Sequence, residues 1–392
     1  MKYNFESLVD RSRAGSVKWN MMRTIDPEVP AGIVPLSIGD MELKNPPEII
    51  DGLKQYLEET ILGYTEPTHK DTQATIDWFA KRHSWYIEPD WIIPFDGVVP
   101  ALYLLVQTFS NPGDKIVFMP PVYRPLYYAI DDTGRTPVEV PLTIDNAAYA
   151  MDFELLEKTL RTEKPKMLLF CSPHNPVSRV WRRDELLRLG TLCRDNNVLV
   201  VSDEIHMDFA MPGHKHLVFS EIDPSFTANS VICTAPSKTF NIAGLQVSNI
   251  IIPDADLRKR FATAYENTGR FGPNQLGIAA CRIAYEQCAP WLDAVLELIH
   301  SNGEMVRSFM STHYPIIPVF PHEGTYFIWL DFRSWRKSSD ELERFFTRAA
   351  RLFLDEGPIF GPQGNGFERI NLACPPWLLH DSLARLLPLA RP

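Results

Sequence analysis

Residues 166–204 read KMLLFCSPHNPVSRVWRRDELLRLGTLCRDNNVLVVSDE, and their pattern decides the fold class. KMLLFC (166–171) and NVLVVSDE (197–204) are β-rich runs too short for helices and too apolar for a sheet that faces water on one side. Between them RDELLRLGTLCRDN (183–196) places Leu186, Leu189 and Cys193 on one face, as a crossover helix should. Strand, helix, strand in this order suits a mostly parallel sheet covered on both sides.

The same pattern extends in both directions. KIVFM (115–119), SVICTA (230–235) and VSNIIIP (247–253) are further strands of this kind, so an α/β layer starts near residue 90. Upstream, PPEIIDGLKQYLEETILGYT (46–65) predicts a helix with Ile49, Ile50, Leu53, Leu57 and Ile61 at helical spacing, Pro47 near its start and Gly63 just past its end. The first 45 residues are irregular, with Pro27, Pro30 and Pro35 breaking any helix, and read as an arm lying over another part of the molecule. After about residue 290 the pattern changes to a long helix (WLDAVLELIHSNGEMVRSFM), a strand (YFIWLDF), a helix over SSDELERFFTRAARLFLDE, and a last short strand and helix. The expected organisation is an arm over 1–45, a large domain over 46–288 and a small C-terminal α+β domain over 289–392.

Composition narrows the function. The chain has 392 residues, 45% hydrophobic and 22% charged, an ordinary globular mixture long enough for two domains. A formal net charge of -10 leaves no basic footprint for nucleic acid and no polybasic cluster for an anionic membrane, so small molecules or protein partners remain. The 6 cysteines show no CxxC pair and read as reduced thiols of a cytoplasmic protein. The first residues lack the apolar core of a signal peptide, and no run of apolar residues is long enough to span a bilayer, so a soluble, unprocessed protein is expected.

Ligands of such sheets collect where strands end and helices begin. DGVVPAL (96–102) offers Gly97 and the main-chain N–H groups of Val98 and Val99 at a helix start, a seat for a phosphate or else a plain turn. Asn175 and Asp203 each follow an apolar strand, where an acid needs a cationic or hydrogen-bonding partner unless it simply caps a helix. Lys238, in TAPSKTFNIAG (234–244), stands after another apolar run, where a buried ammonium is costly. His206 alone reads as a structural histidine, Tyr123 in PPVYRPLYY as a core tyrosine, and Arg369 in GFERINLACP as a surface arginine.

Taken together these residues compose one chemistry. The chain resembles the fold-type I pyridoxal-phosphate enzymes of the class I/II aminotransferase superfamily, and within it the carbon-sulfur β-lyase branch. The likeness runs from SVKWN and IGDMELKNPPEII through GYT, DGVVPAL, PHNP, SDEIHMDF, APSKTFNIAGLQ, GPN and EGTYFIWLDF to RINLACP. It implies pyridoxal 5'-phosphate as cofactor, carried by Lys238, which then serves as general base at the substrate Cα. It further implies that Asp203 pairs with the pyridine nitrogen, Asn175 bonds the ring's phenolic oxygen, and Tyr123 stacks on the ring. Val98, Val99 and Ser237 would hold the phosphate, reached also by Tyr64 from a neighbouring subunit, so a homodimer with shared sites is expected. Arg369 would clamp the carboxylate of an amino-acid substrate. His206 stands where aminotransferases commonly have Tyr.

Departures from the branch bear on specificity. Gln246 replaces an arginine that many aminotransferases use for the phosphate. Ser37 to Leu43 stand where the branch has Trp-Val-Ala-Asp-Met-Asp-Phe, so Gly39 and Asp40 enter the pocket and an aromatic wall is expected to be missing from its mouth. Ser178 replaces the glycine of NPTG, and Arg182 replaces a helix cap, at an expected local cost of about 1 kcal/mol. The implied activity is β-elimination of a thiol from L-cystathionine or a related L-cysteine S-conjugate, giving pyruvate and ammonia. The rivals are transamination with a 2-oxo acid acceptor and, from a different class, a regulator that binds a transcription factor, as one member of the branch does.

Overall fold

The computed structural model describes residues 3–389. Its strands are β1 (Ile92–Phe95), β2 (Lys115–Phe118), β3 (Thr136–Glu139), β4 (Thr143–Asp145), β5 (Ala148–Ala150) and β6 (Met167–Cys171). They continue as β7 (Leu199–Asp203), β8 (Ser230–Thr234), β9 (Ser248–Ile251), β10 (Phe327–Asp331), β11 (Asp355–Glu356) and β12 (Phe367–Asn371). Seven of them form the main sheet in the order β1-β9-β8-β7-β6-β2-β3, parallel except for β9, which runs against both neighbours. β6, β7 and β8 are buried almost throughout, which is why their sequences are continuously apolar.

The crossover helix Arg183–Asp195 buries Leu186, Leu189 and Cys193 completely, on the face its spacing indicates. Arg182 cannot accept a hydrogen bond at this helix start. The expected loss is nevertheless reduced, because the Glu185 carboxylate accepts the Arg182 main-chain N–H at 2.8 Å, the returning half of a capping box.

A small antiparallel sheet, β10-β12-β11, carries the C-terminal part, backed by the long helix Ala289–His313. The helix expected over 338–356 is shorter: it spans Ser339–Arg344, widens into one π turn over Phe345–Ala349, and stops. Arg351 has φ 52, a left-handed turn that ends the helix, and the chain beyond it is extended because other segments take its hydrogen bonds. Leu36 N–H bonds Phe353 O at 2.8 Å, and Asp355 and Glu356 pair with Arg369 and Glu368.

The helix Pro47–Glu59 forms as its spacing predicts, but only Ile49 of its apolar stripe is buried. Ile50, Leu57 and Ile61 face outward, beside Leu62, Tyr64 and Phe271. No helix among the described residues is long and apolar enough to cross a membrane.

Candidate active site

The C-terminal ends of β6, β7 and β8 open into a cavity of about 670 Å³. Lys238 enters from a single helical turn, Pro236–Thr239, which follows β8 directly. Asp203 is the last residue of β7, and Asn175 lies in the loop after β6. Gly97, Val98 and Val99 form one rim: Gly97 has φ 127, a conformation open to glycine, and the helix Val98–Phe109 starts after it. The first-turn N–H groups of Val98 and Val99 have no partner within the helix and point the positive end of its dipole at the cavity.

Lys238 Nζ donates to Gly39 O at 2.7 Å, and burial lowers its pKa to about 8. Tyr326 donates its hydroxyl to the same oxygen at 2.7 Å. A Cβ on residue 39 would sit 2.9 Å from Lys238 Nζ, so a glycine there makes room for the amine. Among the described residues the one hydrogen-bond donor to the buried Asp203 carboxylate is Ile205 N–H at 3.2 Å, and burial raises its pKa to about 7. It forms no ion pair among these residues, and the Lys238 charge offsets the rise only in part. Burial also pushes the Tyr123 hydroxyl up to about 12, with Asp203 adding to it.

Arg369 is held from three directions. Its Nη1 donates to Asn175 Oδ1 at 2.6 Å, and its Nε and Nη2 both donate to Asp355 Oδ2. Its guanidinium lies 3.8 Å from the Phe327 ring centre and 4.6 Å from that of Phe360. Because a guanidinium only donates, the Asn175 amide is fixed with its NH₂ free to donate into the cavity. His206 is buried against Tyr326 and Phe327, and burial holds its pKa well below the usual value, so the ring is neutral.

The cavity thus gathers Gly39, Val98, Val99, Tyr123, Asn175, Asp203, His206, Ser237, Lys238 and Arg369. Two expected residues lie elsewhere. Asp40 turns its carboxylate to Arg11 and Lys18, because the buried Lys18 needs that charge. Tyr64 is 95% exposed, and its ring lies against that of Phe271. Ser37 also differs from expectation: it does not line this cavity but a separate one of about 230 Å³ behind Ile38.

Several contributors escaped the sequence reading. Asp355 holds Arg369 and accepts Ile38 N–H at 2.9 Å. Asn371 Nδ2 donates to Ile38 O and Asp40 O, and Asn241 exchanges hydrogen bonds with Met41. Arg270, paired with Asp96, lines the cavity beside Gln246, the residue already singled out in the sequence.

Residues 31–376 match the family Aminotransferase class I and II, and the chain belongs to that family. It is 39% identical to cystathionine beta-lyase PatB of Bacillus subtilis over 98% of both chains, and 30% identical to protein MalY of Escherichia coli, again over 98% of both. Among solved structures it superposes on cystalysin from Treponema denticola, which contains pyridoxal 5'-phosphate. The TM-score is 0.97 at 44% identity, covering 99% of this chain and 98% of that one. The chain is a pyridoxal-phosphate-dependent enzyme of fold type I, and its cavity fits that cofactor on its own evidence. The orphaned Asp203 carboxylate, the free helix N-terminus and the lysine of lowered pKa match a pyridinium, a phosphate and an aldehyde.

Proposed function

We propose that this enzyme is a carbon-sulfur β-lyase, acting on L-cystathionine or a related L-cysteine S-conjugate. The observation that carries the reading is the meeting of Lys238, Asp203, Asn175 and Arg369 in one buried cavity, in a chain similar throughout to named β-lyases. When bound, pyridoxal 5'-phosphate supplies an electron sink for the pair left when the substrate Cα–H bond breaks.

Arg369 binds the substrate α-carboxylate with the donor hydrogens that Asn175 and Asp355 leave free, and these two partners keep its fork from rotating. Lys238 accepts the Cα proton, a role suited to an amine whose pKa burial has brought to about 8. Asp203 would hold a proton on the bound ring's nitrogen, Asn175 NH₂ would donate to its phenolic oxygen, and Tyr123 would pack on the ring. Val98, Val99 and Ser237 would receive the phosphate. His206, neutral, packs without adding a charge beside the ring. The Cα electron pair expels the thiolate from Cβ, a proton passes to the sulfur, and water converts the remaining enamine to pyruvate and ammonia.

The active unit is a homodimer. The exposure of Ile50, Leu57, Ile61, Leu62, Tyr64 and Phe271, with the rings of the last two in contact, supports this, because so many large apolar side chains in and after one helix call for a partner surface. Tyr64 then reaches the phosphate of the neighbouring site. The 6 buried free cysteines support a reducing, cytoplasmic setting.

The test is to mix purified holoenzyme with L-cystathionine and identify the keto acids. Pyruvate accumulating over many turnovers with no added acceptor supports elimination. A single turnover that stops until a 2-oxo acid is added makes the enzyme an aminotransferase.

A further inference from the structure

Behind Ile38 lies a second recess of about 230 Å³, separated from the active-site cavity by Ile38, Asp355 and Ile359, which line both. Its polar lining is acidic: Glu343, Glu356 and Glu368 join Asp355 there. Asp355 is neutralised by Arg369. Among the described residues no lysine, arginine or histidine forms an ion pair with the three glutamates; the nearby Arg348 and Arg351 are both engaged by Asp26.

Two residues of the lining each carry a buried polar atom with no hydrogen-bond partner. Glu368 is 2% exposed and its Oε2 is unpaired; Ser37 is 1% exposed and its Oγ is unpaired. Burial and the neighbouring carboxylates raise Glu368 well above the usual range and Glu356 to about 7. The remaining wall is apolar, with Met22, Ile25, Phe346 and Phe353.

This combination selects a ligand class. Among the described residues no group of three or more His, Cys, Asp or Glu converges as a metal ion needs. An acidic floor with hydrophobic walls instead suits a cationic nitrogen on a short alkyl chain, which would bring a positive charge to three glutamates that have no ion-pair partner and cover its methylenes.

We infer that the recess bounded by Ser37, Glu343, Glu356 and Glu368 is a binding site for an alkylammonium group. The cation displaces the proton that burial holds on Glu368, so its binding releases a proton. The group comes either from the far end of a substrate whose leaving thiol carries an amine, or from a free amine. The first source rests on the β-lyase reading and needs Ile38 to give way; the binding site itself does not depend on that reading.

The probe is N,N-dimethylpropylamine, a tertiary amine that cannot condense with an aldehyde. It is titrated calorimetrically into holoenzyme at about pH 8, where the amine is protonated, in two buffers of different ionisation enthalpy. Wild type is expected to bind it with proton release. Glu368→Gln, nearly isosteric and checked for an unchanged circular dichroism spectrum, is expected to bind about tenfold more weakly for loss of one charge-assisted hydrogen bond. In parallel, KM is measured for S-(2-aminoethyl)-L-cysteine and for S-propyl-L-cysteine. A rise of about tenfold in Glu368→Gln for the aminoethyl conjugate alone assigns the recess to the substrate. Unchanged KM values with probe binding intact in wild type assign it to a free amine. Should neither conjugate be turned over while the probe still binds, the recess stands and the lyase reading fails. Absence of probe binding in wild type, with both KM values moving together in the variant, overturns the proposal.

Discussion

Arg369 shows how much of a residue's role its partners decide. An isolated arginine in FERIN reads as a surface group; between Phe327 and Phe360, with Asp355 and Asn175 on its fork, it is a buried, fixed guanidinium suited to the carboxylate the proposal assigns to it. Lysine cannot reproduce that fork. Arg369→Lys is expected to raise the substrate KM by about 10- to 100-fold, the worth of one or two charge-assisted hydrogen bonds, with a smaller fall in kcat. Steady-state kinetics read the split. Asp203 makes a prediction through stability. Its folded pKa, about 7, exceeds the ordinary aspartate value of 3.8, so the folded state holds its proton more tightly. The contribution is full below the unfolded pKa and is lost as pH rises toward 7, a loss of a few kcal/mol in the cofactor-free protein. Denaturant titrations between about pH 4 and 7 should show this slope in wild type and a smaller one in Asp203→Asn. Lys238, Asp203 and Asn175 were legible because each follows an apolar strand, where an ionic or amide side chain needs a reason. Asp355 gave no such signal, since it lies at the end of a stretch whose spacing reads as helix.

At the scale of elements, that helix marks where pattern reading stops. RAARLFLDE has helical spacing, yet Arg351 turns left-handed and the following residues are extended, bonding to Leu36 and to β12. Tertiary partners distant in sequence override local preference there. The arm is similar: Ile38 to Met41 form no regular element, so their main-chain groups are satisfied by Lys18, Lys238, Asn241, Tyr326, Asp355 and Asn371. No periodicity encodes such a list. Ser178 illustrates a departure the structure explains. It has φ 59, which accounts for the glycine common there, and its hydroxyl donates to Phe327 O at 2.6 Å while meeting Thr325 Oγ1 at 3.0 Å. Ser178→Ala keeps the left-handed strain and loses these bonds, so urea unfolding should show a cost of about 1–2 kcal/mol. Ser178→Gly should cost less, because the relieved backbone offsets part of the loss.

At the scale of the whole molecule, the layered architecture was legible because strands buried on both faces must be continuously apolar and crossover helices must be amphipathic. The stripe on Pro47–Glu59 was legible as a helix, but its exposure was not, since spacing tells that a face is apolar and not which chain covers it. The dimer proposal makes that face an interface and gives a complementation test. Lys238→Ala and Tyr64→Ala chains are each expected to be impaired. Refolded together in equal amounts, they should regain about a quarter of wild-type activity, because half of randomly assorted dimers are mixed and each mixed dimer holds one intact site. No recovery would place Tyr64 outside the shared site. The account as a whole depends on Lys238 moving the substrate Cα proton. The most direct test is the rate at which cofactor-loaded wild type and Lys238→Ala exchange that proton of L-cystathionine or L-alanine with deuterated water. A fall of at least about 1,000-fold in the variant, partly restored by added methylamine, is the predicted result. Exchange in Lys238→Ala within about tenfold of wild type would contradict it, because another base would then serve the Cα.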